Sequence, residues 1–218
     1  MADAARIIEE NQARLPVREQ LDSNDFLAAA RAGEVETAQL QRLVTGEFLI
    51  LDAEIYKFGS MVVRYRHEVP AALFANLAVL YLAQRRLLAD SVVGDVGLDT
   101  QRLRDSEMEP AVLDFSLAET WAAVHAGPAE VALGVHTDFQ LYAPVARELV
   151  DALGKLDTVP ASLVTFLENY SEEPAELTGR LAEVVDYGLA DGEPEQRVTR
   201  AAGTIPDLLT GYWRYVAG

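Results

Sequence analysis

The chain contains no cysteine. That absence excludes disulfides, zinc fingers, thiolate-bound clusters and a cysteine nucleophile, so its stability must come from packing. Histidine is scarce as well: His67, His125 and His136 are the only three, and none follows a Glu or Asp by three residues. The Glu-x-x-His pairs with which helical bundles hold di-iron centres are therefore missing, and no metal or other cofactor is expected. No apolar run approaches the roughly 18 to 20 uncharged residues of a membrane span, and the opening Met-Ala-Asp-Ala-Ala-Arg has no basic and apolar export pattern. These features lead to the expectation of a cytoplasmic protein with no membrane partner. There is also no glycine-rich phosphate loop, no serine nucleophile elbow and no cyclase-type run of aspartates. Asp22 and Asp25 stand three apart, but at a place where a helix N-cap is expected.

Positive charge is the next shortage. Against 35 acidic residues stand 18 basic ones, of which only Lys57 and Lys155 are lysines, and the net charge is -17. A nucleic-acid binder must neutralise phosphates with Lys and Arg, so nucleic acid is excluded as a partner and a small cationic ligand is favoured. The same charge also serves solubility. Abundant Arg, Ala, Val and Leu with little Lys is the usage of GC-rich bacterial genomes, such as those of actinobacteria.

What is present is helical periodicity throughout its 218 residues, half of them hydrophobic, which suits one soluble domain, 1–218. The pattern predicts helices over about 4–14, 25–33, 36–65, from Pro70 to about 88, 110–125, 128–154, 160–170, 174–189 and 193–218. Gly or Pro stands at most of the breaks. The stretch 90–109, with Gly94, Gly97 and a crowd of aspartates, reads as a loop. The expected architecture is an all-α up-and-down bundle of about seven to nine helices.

Two carboxylate pairs border apolar stripes. Glu47 and Glu54 flank Val44, Phe48, Leu51, Ile55, Phe58 and Val62, and at seven residues apart they differ by only about 20° in helical projection. Glu176 and Glu183 repeat the spacing beside Leu177, Leu181 and Val184. Charge normally borders such stripes in solvent. If a pair instead faces the interior, it must find a cation or take up a proton, and so become a substrate anchor or a general acid or base. His136 lies mid-helix with Gln140 one turn on, as a packed core histidine or as part of a pocket. His67 and His125 fall at helix C-termini, where a cation complements the dipole.

Ala132-Leu133-Gly134, Gln140, Pro144, Leu149 and Leu153-Gly154 resemble the central helix of the heme-oxygenase-like superfamily, which includes TenA thiaminases, PqqC oxidases and non-heme di-iron oxygenases. Tyr212-Trp213 and Ala217 look like the aromatic pair closing TenA-type proteins. The resemblance implies a helical bundle enclosing a pocket. It also shows departures: Gln140 stands where di-iron members have a Glu ligand, and Asn169, Glu173 and Glu176 stand where they place His, Asp and His. The thiaminase cysteine near position 140 is missing, and Leu209 replaces the Glu four residues before the Trp.

The sequence thus points to a metal- and cofactor-independent lyase or cyclase of specialised metabolism acting on an amine-bearing small molecule, with ring closure of the aziridine-cyclase kind as one form. Glu47, Glu54 and His136 are the expected catalytic residues, and Gln140, Tyr56, Asn169, Glu173 and Glu176 the expected substrate contacts. Two alternatives remain open. One is a non-catalytic ligand-binding or partner subunit, in a homodimer or a heterodimer with a related chain. The other is an oxygenase with a metal held by Glu47, Glu54, Glu173 and Glu176.

Overall fold

The computed structural model describes residues 4–105, 110–172 and 174–218. Over these residues the chain is helical with no strand. The helices are α1 (Ala4–Gln12), α2 (Val17–Asp22), α3 (Asp25–Ala32), α4 (Thr37–Arg64), α5 (Glu68–Leu87), α6 (Val93–Asp95), α7 (Thr100–Asp105), α8 (Pro110–His125), α9 (Pro128–Leu153), α10 (Ala161–Glu168), α11 (Ala175–Ala190), α12 (Glu195–Ala202) and α13 (Ile205–Ala217). Among the described residues no helix is long and apolar enough to cross a membrane.

Two long helices organise the bundle. α4 packs on α5 and α8, and α9 packs on α11, α12, α10 and α3, while α13 closes against α8, α4, α3 and α9. One continuous core cluster draws apolar residues from Ala4 in α1 to Val216 in α13. α9 is buried on nearly every side between Pro128 and Ala143. Burial all round a helix is what a central helix requires, and it leaves no polar face to mark its orientation.

The breaks follow local chemistry. Asn24, rather than Asp22 or Asp25, caps α3 by accepting the Leu27 N–H, and Gly33 ends that helix at a φ of 74° that other residues rarely adopt. His67 does not belong to the end of α4; it lies beyond Tyr65 and caps α5. Its Nδ1 accepts the Val69 N–H at 3.3 Å to start α5, and its ring stacks on Tyr187.

The stretch expected to be a loop is largely helical up to residue 105: a π-helical turn at Leu88–Val92, then α6 and α7. Residues 106–109, the rest of that loop, lie outside the described residues. Val92, Val93, Val96 and Leu103 are buried there, so core contacts override the turn-forming composition. The expected last helix is two, split at Gly203-Thr204, with Pro206 in the first turn of α13 where its missing N–H costs nothing.

Candidate functional site

The pair Glu47 and Glu54 faces the interior, at 6% and 5% exposure. Both side chains line a small chamber of about 30 Å³, room for one or two waters, together with Tyr81, Phe115, Asp138, Tyr142, Tyr170 and Tyr212. Glu47 Oε1 accepts hydrogen bonds from the hydroxyls of Tyr142 at 2.7 Å and Tyr212 at 2.6 Å. Burial pushes the Glu47 carboxyl above the ordinary range, and the two tyrosine hydroxyls oppose that shift. Burial, followed by the charge on Glu47, raises the Tyr142 and Tyr212 hydroxyls well above their usual value, which keeps them protonated as donors.

Tyr212 reaches Glu47 because position 46 is glycine. A Cβ at Gly46 would come within 2.6 Å of the Tyr212 ring. Tyr142 is fixed in turn by stacking on Trp213 and by edge contact with Tyr170.

Glu54, one side of the chamber, belongs to a second group. Lys57, one turn along α4 and equally buried, pairs with Glu119 of α8 and lies 3.8 Å from Glu54 Oε1. Asp138 of α9 is within electrostatic reach of the same ammonium. Three carboxyl groups therefore surround one lysine. Burial alone would pull the Lys57 ammonium down, but Glu119, Glu54 and Asp138 outweigh it and the net shift is upward. Burial raises Glu54 well above the carboxylate range. Asp138 is pushed up to about 7, by burial first and Glu119 second, with Lys57 opposing. One positive charge cannot balance three buried negative ones, so protons make up the difference. Asp138 Oδ1 is sealed from solvent and has no hydrogen-bond partner among the described residues.

Glu54 and Asp138 also line a larger cleft of about 530 Å³ between α4, α8, α9, α12 and α13. That is the size of a small-molecule site. Lys57 and Glu119 share its floor, Val131, Gly134, Val135, Ile205 and Leu208 supply apolar wall, and Trp121 stands at 52% exposure on its α8 side.

The other expected site residues fall elsewhere. His136 and Gln140 are not among the residues lining the chamber or the cleft. Each is two residues from Asp138, about 200° around α9, so they turn away when Asp138 turns in. His136 is fully buried in core packing. Tyr56 is 53% exposed over a shallow groove outside the bundle. Asn169 is exposed, and its side-chain amide donates to Gln84. Glu176 and Glu183 are exposed, Glu176 in the first turn of α11 beside Arg180, so the solvated reading holds for that pair. Glu173 lies outside the described residues. Sequence reasoning missed Lys57, Glu119, Asp138, Tyr142 and Tyr170. A usable signal existed for Lys57, which sits three residues from Glu54 on the same helix edge.

Glu176 is at the surface and the pair Glu47 and Glu54 is in the core, so the glutamate metal site does not assemble from these three. Among the described residues no three His, Asp or Glu side chains are placed to share a metal ion. The centre of the buried carboxylate group is held by the Lys57 ammonium.

No protein-family model matches the chain, and no curated protein matches it in sequence. Solved structures do match in shape. A TenA homologue from P. horikoshii superposes with a TM-score of 0.76 at 14% identity, covering 100% of both chains. A TenA homologue from Pyrococcus furiosus gives 0.76 at 10% identity, over 97% of this chain and 98% of that one. A TenA family transcription regulator from a Silicibacter species gives 0.72 at 11% identity, over 97% and 96%. The protein has the TenA-like, heme-oxygenase-like helical fold, and identities this low carry the fold alone.

Proposed function

We propose that the protein is a metal- and cofactor-independent lyase or cyclase that holds a small amine-bearing molecule in the 530 Å³ cleft and moves a proton at its amine. The observation that carries this reading is Asp138. It is a carboxyl group poised at about 7, with an unpartnered oxygen, at the junction of cleft and chamber. A base of that strength is matched to neutral pH.

In its ionised form Asp138 takes the proton of an ammonium group and frees the nitrogen lone pair. The nitrogen then attacks a carbon of the same molecule, the new C–N bond forms as the bond to the leaving group breaks, and the leaving group departs with its electron pair. Glu54, raised and therefore able to carry a proton, is placed to supply one to that group. Ring closure of the aziridine-cyclase type is the cyclase form of this chemistry; in the lyase form the same carboxylate takes a proton from the carbon next to the one bearing the leaving group, and the C–H electron pair becomes the new double bond as the bond to the leaving group breaks. Lys57 fixes the carboxylates, and the Glu47 group with its tyrosines forms the inner wall.

The test is a carboxyl-detected NMR titration of Asp138 with and without hexylamine. The expected midpoint lies at about 7 and falls when the ammonium binds, and Asp138→Asn abolishes binding at neutral pH. An ordinary aspartate midpoint, or no response to the amine, overturns the reading.

A second reading, as a partner subunit, is favoured by a separate observation. Tyr56 and Val63 of α4 and Leu117, Trp121 and Val124 of α8 are all exposed, and the groove between these helices has no acidic residue in its lining. Two copies of a chain of net charge -17 meet most readily where neither carries negative charge. A homodimer through this face is expected to dissociate on Trp121→Glu in sedimentation analysis, and a wild-type monomer removes this reading.

A further inference from the structure

The cleft is asymmetric in charge along its length. On α9 its wall runs through Glu130, Val131, Gly134, Val135 and Asp138, one face of the helix. The eight helical steps from Glu130 to Asp138 set the length of that wall at about 12 Å. At the Asp138 end lie the carboxyl groups around Lys57. The other wall is α12 and the start of α13, which present Arg197, Arg200, Ala201 and Thr204 at helical spacing.

The two arginines differ. Arg197 is committed: its Nε donates to Glu130 Oε1 at 2.9 Å and its Nη2 to the His125 carbonyl at 2.7 Å. It thereby anchors α12 at the far end of the cleft. Arg200 lines the same cleft one turn on and has no ion-pair or hydrogen-bond partner among the described residues. Gly134, opposite, leaves open space where a side chain would stand.

We infer that the ligand is bipolar: an amine at the Asp138 end and an oxyanion, carboxylate or phosphate, held by Arg200 some way along the cleft. This rests on the amine-binding reading of Asp138 and Glu54 and adds the second pole. A guanidinium offers a planar fork of donors that matches either oxyanion. The apolar wall of Val131, Val135, Ile205 and Leu208 between the poles suits an aliphatic connection. The arrangement also explains why a strongly acidic protein would accept a ligand bearing negative charge, since Glu130 neutralises Arg197 and leaves Arg200 as the free positive charge at the outer part of the cleft.

The test compares three probes by calorimetry at neutral pH and low salt: hexylamine, ε-aminocaproate and aminopentyl phosphate. The wild-type protein is expected to bind at least one of the two bipolar probes about tenfold more tightly than hexylamine. The one preferred identifies the oxyanion. Arg200→Gln, an exposed substitution, should remove that advantage and leave hexylamine binding unchanged. Equal binding of all three probes, or an advantage that survives Arg200→Gln, overturns the bipolar ligand while leaving the amine site standing. Failure of every probe, hexylamine included, overturns both readings.

Discussion

Glu47 and Glu54 on α4 and Glu176 and Glu183 on α11 share one pattern, two glutamates seven residues apart on the flank of an apolar stripe. The first pair is buried and the second exposed. The spacing fixes only that the two side chains share a helical face. What separates them is how heavily the helix is covered. α4 is clamped between α5 and α8, with α13 also against it, whereas α11 packs heavily on α9 alone, touches α5 and α1 more lightly and keeps an outer face. The buried pair then recruits what buried charge needs: Tyr142 and Tyr212 around Glu47, and Lys57 with Glu119 and Asp138 around Glu54. The exposed pair needs nothing, because water solvates it.

The largest test of this contrast removes the cation. Lys57→Met should destabilise the fold by about 3–5 kcal/mol, since it strips the counter-charge from a buried group of carboxyls. Glu54→Gln, which removes one of the excess negative charges and keeps the shape, should change stability by only about 1 kcal/mol or less. Urea denaturation of the two variants distinguishes them. If Lys57→Met is as stable as wild type, the buried group is not held by its ion pairs.

Next comes Glu47→Ala, expected to cost about 2–3 kcal/mol. It leaves the buried Tyr142 and Tyr212 hydroxyls without their acceptor and opens a small void. Thermal unfolding measures the loss, and near-ultraviolet circular dichroism should report the disturbed tyrosines. An unchanged transition would mean that water replaces the carboxylate at no cost.

The buried pair also gives stability a pH dependence. Asp138 keeps its proton in the folded protein up to about 7 but releases it near the ordinary value of 3.8 once unfolded. Between those values the folded state binds more protons, so stability is greatest on the acid side and falls as pH rises through about 7. Glu54 and Glu47, also raised, act in the same direction. One such group gives a slope of at most about 1.4 kcal/mol per pH unit. Asp138→Asn should flatten the fall in unfolding free energy between about pH 5 and about pH 7. A wild-type profile that rises over this window contradicts the assignment.

How much of this was legible in the sequence depended on whether a helix carries a phase. α4 has a defined apolar stripe, so the edge bearing Glu47 and Glu54 could be identified, although not its burial. α9 is buried on nearly every side, and its pattern does not say which residues turn toward α4. Choosing His136 and Gln140 by residue type therefore missed Asp138, two positions away, and Tyr142, one turn beyond it. α8 hides Glu119 in another way: Leu117, Trp121 and Val124 are apolar yet exposed, so its pattern carries no phase either. The boundaries of α8 and α9 were readable from Pro and Gly at their ends, while the helical run after α5 was not, because Asp90, Asp95 and Asp99 mask Val92, Val93 and Val96.

The smallest expected effect falls on the exposed pair and completes the contrast. Glu183→Gln lies mid-helix on the outer face of α11 and should leave stability within about 0.5 kcal/mol of wild type. Glu176→Gln should cost slightly more, a few tenths of a kcal/mol, because Glu176 sits in the first turn of α11, where a negative charge meets the positive end of the helix dipole. Added salt should erase the Glu176 difference, since an exposed charge is screened, and should not erase the cost of Glu47→Ala, which is sealed from solvent. Paired urea titrations at low and high ionic strength decide the point. A loss at Glu183 as large as that at Glu47 would mean that α11 has a covered outer face, and the two pairs would then share a fate as well as a pattern.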